Sequence, residues 1–338
     1  MNIDYPFDDI PAPAQPLPIA PGVAWLRMPL PFALDHINLW LLDDGPDMVI
    51  VDTGFGTPET QAIWQQVLTA DGRRISGVVV THFHPDHLGL AHWLAERDRA
   101  PVFMTEAEYL AARAVWHGVP GHGSADMVAL FRRHGLDEAR LSALQARGNT
   151  YARGVTALPM QHRRMFHGDR LTIGGLGWEV ITGHGHSPEH ASLYCAELEL
   201  LISGDMLLPR ISTNVSVHAA GAEDDPLGWF LCSLQRIINL PQDTLVLPSH
   251  GKPFRGIRTR INELEAHHAD RCSALIEALD EPRSAAELLP VLFRRDLDNH
   301  QVMFAMGEAI AHLNHLQGRG AVRRIEEADG GIRFARTR

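Results

Sequence analysis

"VVVTHFHPDHLGLAHW", residues 78 to 93, sets three histidines and an aspartate into six positions directly after an apolar, β-branched run. The run reads as a buried strand. Side chains two apart in an extended chain point the same way, so His82 and His84 leave the strand end on one side. Pro85 redirects the chain, and Asp86 and His87 then project from the turn that opens the next helix. Neutral imidazoles and a carboxylate suit zinc, iron or manganese. Without thiolates, the set points to open coordination rather than a closed structural zinc site. Single surface histidines are common, but four such residues in HxHxDH spacing at a strand terminus are the strongest signal in the chain.

Outward from this motif, "INLWLLDDGPDMVIVDTGFG" (37–56) has two apolar runs around a DDGPD turn, the pattern of a β-hairpin. "TPETQAIWQQVLTADG" (57–72) predicts a helix capped by Thr57 and stopped by Gly72, and "ISGVVVTH" (75–82) predicts the buried strand. This β-β-α-β order predicts a layered α/β domain. The Pro-rich first 22 residues read as an extended arm. Residues 105–154 show helical periodicity broken by "HGVPGHGS" and read as a helical insertion. Its Trp116, Met127 and Phe131, with Met104 at its edge, read as helix core or as the apolar wall of a lid over an acyl chain. Strands resume in "RLTIGGLGWEVITG", "HASLYCAELELLISGD" and "DTLVLPSHG". From residue 255 the pattern is helical and ends in the hairpin "AVRRIEEADGGIRF".

The 338 residues are 45% apolar, enough for a large domain and a small one with real cores. Of 30 basic and 41 acidic residues, 13 of each fall in 255–338, so 17 basic and 28 acidic residues in 1–254 carry the whole net charge of −11. An acidic surface repels polyanions, and nucleic acid is not an expected partner. No apolar run approaches the length that spans a bilayer and no leader pattern opens the chain, so the expectation is a cytoplasmic protein without a membrane partner. Cys195, Cys232 and Cys272 form no CxxC pair and read as small buried hydrophobes in a reducing compartment.

Three later segments complete a pattern. "GHGHSPEH" (183–190), "LLISGD" (200–205) and "LPSHGKP" (247–253) follow the HxHxDH motif in order. Across residues 23–254 the chain resembles the metallo-β-lactamase-fold hydrolase superfamily, of the glyoxalase II or lactonase kind. The resemblance implies a four-layer αβ/βα sandwich, spanning 1–254 here, with the insertion at 105–154 and a small helix-rich C-terminal domain at 255–338. That last domain resembles a winged-helix-like module, whose balanced charge suits packing or homodimerisation better than nucleic-acid binding.

The resemblance also implies His186 as a third ligand beside His82 and His84, and Asp205 as a bridging carboxylate. It pairs His250 with Asp86 and His87 at a second metal. His184 competes with His186 on sequence alone; Ser187-Pro188 favours His186, leaving His184 and His190 as supports. The implied function is a binuclear hydrolase, most simply with zinc and with iron or manganese as alternatives. Its metal-bound hydroxide attacks the carbonyl of a small ester, thioester or lactone, and Asp86 shuttles the proton. A metal-dependent nuclease, or a nucleic-acid-binding protein with a relic metal site, is the alternative. Lys252, the only lysine, is a candidate anion anchor or a solvated loop residue. Arg210, Asn214 and His218 in "LPRISTNVSVH" (208–218) are candidate substrate contacts or outward positions of an ordinary strand. His36 and Asn38 are weaker candidates on the first hairpin.

Overall fold

The computed structural model describes residues 3–337. One sheet runs in the order β1 (Leu17–Ala20), β2 (Val23–Pro29), β3 (His36–Asp44), β4 (Asp47–Val51), β5 (Ile75–Val79), β6 (Val102–Met104), β7 (Arg163–Arg164). A second sheet holds β8 (Arg170–Ile173), β9 (Leu176–Gly183), β10 (His190–Cys195), β11 (Leu200–Gly204) and β12 (Leu245–Pro248), with β12 at one edge and β8 at the other. The arm is therefore more than a tether: Leu17–Ala20 pairs antiparallel with β2 as the edge of the first sheet.

The sheets face each other through one apolar cluster. Trp25, Trp40, Val49 and Val79 of the first meet Trp178, Leu193, Ile202 and Leu247 of the second. The other face of the first sheet packs on α1 (Pro58–Asp71) and on α3 (Ala91–Asp98), which follows the short α2 (Pro85–Leu88). Trp64 and Leu94 are buried there. α1 begins and ends as its sequence demands: Thr57 accepts a hydrogen bond from the Thr60 N–H at 3.1 Å, and Gly72 takes a φ of 77°, open to glycine without penalty. These elements form an α/β fold of layered sheets and helices.

Parallel pairing sets the working rim. β4 and β5 align Val51 with Val79, and β11 and β12 align Gly204 with Pro248. The segments 80–87, 205 and 249–250 thus emerge from the carboxyl ends of neighbouring strands, where open α/β sheets bind ligands. The Ala191 N–H donates to the Thr81 carbonyl at 2.8 Å and ties the two sheets together at this rim.

The insertion begins with α4 (Glu106–His117), continues through α5 (Ser124–Arg133) and α6 (Glu138–Ala146), and closes with α7 (Tyr151–Gly154). The chain separates into two compact units, one of 1–116, 151–213 and 233–261, the other of 117–150, 214–232 and 262–338. In the second unit, α8 (Pro226–Ile237) and α9 (Ile257–Ala278) contribute segments, followed by α10 (Ala285–Leu292), α11 (Asn299–Gly318) and the hairpin of β13 (Val322–Glu326) with β14 (Ile332–Arg336). α5 and α6 bury too few apolar residues to make a core of their own and share one with these C-terminal elements. The Ala286 N–H donates to the His134 carbonyl, Arg147 bonds His300 at 2.8 Å, and Arg133 pairs with Glu326. Met127 and Phe131 line an apolar cavity of about 70 Å³ with Leu144 and Met303, whereas Met104 and Trp116 belong to the core of the first unit.

Two smaller expectations are corrected. Residues 208–218 form no strand, because Arg260 draws the Leu208 and Ile211 carbonyls to its guanidinium and Thr213 folds back onto the Asp205 carbonyl. Among the cysteines Cys195 is buried, but Cys232 is exposed. Among the described residues, no helix is long and apolar enough to cross a membrane.

Candidate metal centre

Seven side chains from four segments converge on the rim. His82 Nε2 stands 2.9 Å from His84 Nδ1 and 3.1 Å from His186 Nε2. His250 Nε2 lies 3.5 Å from Asp86 Oδ2, and His87 Nε2 lies 3.7 Å from the same oxygen. Asp205 stands between the two sets. Its Oδ2 is 3.4 Å from His186, and its Oδ1 is 3.6 Å from His87 and 3.5 Å from His250. Each set offers ligand atoms close enough to share one cation. A tetrahedron drawn around a cation with ligands at 2.0–2.2 Å has edges of about 3.3–3.6 Å, close to these separations.

The electrostatics ask for positive charge. His87 Nε2 and Asp205 Oδ1 are buried without a hydrogen-bond partner among the described residues, an arrangement that costs free energy unless a cation completes it. Burial opposes protonation of His87, yet Asp52, Asp86 and Asp205 around it outweigh burial and raise its pKa to about 10. Burial likewise opposes charge on His250, and Asp205 and Asp86 again prevail, raising it. Asp205 is held well below the usual carboxylate range: burial works against this, but His250 and His87 overcome it. His82 is the opposite case. Burial, reinforced by His87, His84 and His186, lowers its pKa well below the ordinary value and keeps its lone pair free. An all-imidazole set on one side and carboxylate-rich donors on the other fit divalent cations.

Several supports carry no motif. Asp52, just past β4 with a φ of 61° that aspartate tolerates, accepts from the His87 Nδ1–H at 2.8 Å and from the Thr81 N–H at 2.8 Å. The only hint in sequence is an acid at the end of an apolar run. Glu108, buried on α4, accepts from Phe83, Ser187 and Glu189, and nothing in an amphipathic helix announces it. Burial raises the Glu108 pKa, opposed by those donors. His190 Nε2 accepts the Asp205 N–H at 3.1 Å. Gly204 precedes Asp205 because any Cβ there would stand 2.2 Å from that imidazole.

His184, His36, Asn38, Lys252 and Arg210 are held by other partners. His184 turns away, its Nδ1 bonded to the Pro188 carbonyl at 2.7 Å. His36 supports the His250 loop, its carbonyl accepting from His250 Nδ1 and its Nε2 from the Gly251 N–H. Asn38 clamps the same loop through the Pro248 and Gly251 carbonyls, and its own oxygen accepts from Trp25. The Lys252 ammonium donates to the Phe7 and Asp8 carbonyls, and the Arg210 guanidinium lies over the Tyr5 ring, so both are engaged with the N-terminal arm. Asn214 and His218 fall in the second compact unit.

Residues 33–250, which hold all seven convergent side chains, match the model of the metallo-beta-lactamase superfamily. The chain belongs to this superfamily. Residues 272–337 match the metallo-beta-lactamase-like C-terminal domain. A beta-lactamase domain protein from Burkholderia ambifaria is 47% identical, with 99% of this chain and 98% of that one covered and a TM-score of 0.92. A metallo-beta-lactamase family protein from Thermus thermophilus is 31% identical over 94% of this chain and 99% of its own, with a TM-score of 0.79. The probable metallo-hydrolase YqjP of Bacillus subtilis is 25% identical over 88% of this chain and 92% of its own. The chain is a superfamily hydrolase by descent, and its histidine and aspartate cluster fits the divalent metal ions that membership implies.

Proposed function

We propose that this hydrolase opens a small ester, thioester or lactone at a centre of two divalent cations. The observation that carries the reading is Asp205, whose two oxygens each face a different ligand set at 3.4–3.6 Å. His82, His84 and His186 would hold one ion and Asp86, His87 and His250 the other, with Asp205 common to both. Zinc is the first choice, and iron and manganese suit the same donors. Cations so held supply Lewis acidity toward a carbonyl oxygen and bring the pKa of a water toward about 7. The rest falls to the chain. Asp86, whose side chain is 20% exposed against 11% for Asp205, is the ligand-set carboxylate best placed to take a proton from the attacking water and pass it to the leaving group. Asp52 orients His87, and the His36 carbonyl orients His250.

Charge and burial speak against nucleic acid as substrate. The net charge of −11 repels polyanions, and in the C-terminal module α11 is buried on every side from Ala309 to Leu316, leaving no free face there to enter a groove. That module is read as a packing or dimerisation element of a cytoplasmic enzyme. Elemental analysis of reconstituted protein is expected to give close to two ions per chain, and one tightly bound ion rejects the pair. Loaded and chelated protein should then be compared on an ester, thioester and lactone panel and on single-stranded RNA and DNA at low salt. Metal-dependent turnover on the panel alone is expected, and nucleic-acid cleavage at a similar rate makes the nuclease the better reading.

A further inference from the structure

Glu108 stands outside every ligand group, yet its fully buried carboxylate joins the two loops that carry the all-histidine set. Its Oε2 accepts from the Phe83 N–H at 2.8 Å, between His82 and His84. Its Oε1 accepts from the Ser187 hydroxyl at 2.7 Å and the Glu189 N–H at 2.6 Å, immediately after His186. Neighbouring side chains brace the same two loops: Thr105 donates to the Glu189 carbonyl at 2.7 Å, and Tyr151 donates to the Phe83 carbonyl at 2.6 Å. A main-chain carbonyl or an amide oxygen could satisfy donors of this kind without a charge. Burying a carboxylate carries a desolvation penalty that positive charge close by would offset.

We propose that Glu108 is a positioning residue for the cation at His82, His84 and His186. Its three hydrogen bonds fix the separation of the 82–84 and 186–189 loops, and its charge complements a set that is otherwise imidazole except for a share of Asp205. Removal of such a partner typically weakens metal affinity about 10–100-fold. The proposal rests on the metal-centre reading above, so its readout is the affinity of each set for zinc rather than turnover.

The test places Glu108→Gln, which keeps the shape, removes the charge and replaces one accepting oxygen by an NH2 group, in two backgrounds. With His250→Ala the remaining tight site is the all-histidine set, and with His84→Ala it is the carboxylate-rich set. Zinc affinity is measured by competition with a chromophoric chelator. The expected result is a loss of about 10–100-fold in the first background and little change in the second. Val67→Ala, on the buried face of α1, controls for a general loss of stability and is expected to leave both affinities intact. Ser187→Ala removes one of the three bonds and serves if the glutamine variant does not fold; a smaller loss confined to the all-histidine set is expected. Unchanged affinity in both backgrounds, or equal losses in both, overturns the role of Glu108 alone. Wild-type protein that binds no zinc overturns the metal-centre reading, and this proposal with it.

Discussion

The two halves of the centre share one aspartate and differ in almost everything else. On one side three imidazoles meet, and burial holds His82 neutral. On the other, Asp86 and Asp205 flank His87 and His250 while Asp52 stands behind His87, so the surroundings already favour positive charge. The first half offers imidazole nitrogens; the second adds negative charge. Donor groups that come from one rim can therefore differ sharply in charge.

The largest effect should come from breaking what the halves share. Asp205→Asn removes charge from both, and a fall in turnover of at least roughly 100-fold with loss of both ions is expected by elemental analysis. His190→Ala, which only frees the Asp205 N–H, should cost less. Equal metal loss in the two variants would mean that His190 is itself a ligand.

Next comes Asp52→Asn, which tolerates the positive φ and keeps an oxygen for Thr81 but removes the charge behind His87. Zinc affinity should fall about 10–100-fold at the carboxylate-rich set and little at the other, read in the same single-site backgrounds. An equal fall at both would erase the distinction between the halves.

Proton release sharpens the contrast further. With its pKa at about 10, His87 carries a proton at pH 7 in metal-free protein, and a cation must displace it. Affinity at that set should climb as pH rises from 7 toward 10. His82, already neutral at pH 7, adds no such dependence to the other set. Titration calorimetry in buffers of different ionisation enthalpy should show protons leaving when the carboxylate-rich set fills. No proton release there would show that the field of the three aspartates is weaker than their placement implies.

The smallest effect is reserved for His184→Ala. Its ring bonds the Pro188 carbonyl and joins no ligand group, so metal content should stay near wild type while His186→Ala loses an ion. The reverse outcome would exchange their assignments.

The sequence by itself determined the elements around the rim and the chemistry of the donors. Thr57 and Gly72 bound α1 because capping and left-handed turns are local choices, and HxHxDH is legible because its four residues sit within six positions of one strand end. Residue type and spacing left His184 and His186 in competition, with only Ser187-Pro188 favouring His186, because the choice rests on how the loop between β9 and β10 folds and bonds the His184 ring to the Pro188 carbonyl. Only the tertiary structure decided that Asn38 clamps the His250 loop from 210 or more residues away, that Lys252 serves the N-terminal arm, and that α5 and α6 share a core with the C-terminal helices. Asp52 and Glu108 were silent for the same reason: their partners lie about 25 to 80 residues along the chain, and a buried carboxylate has meaning only once folding brings its donors to it.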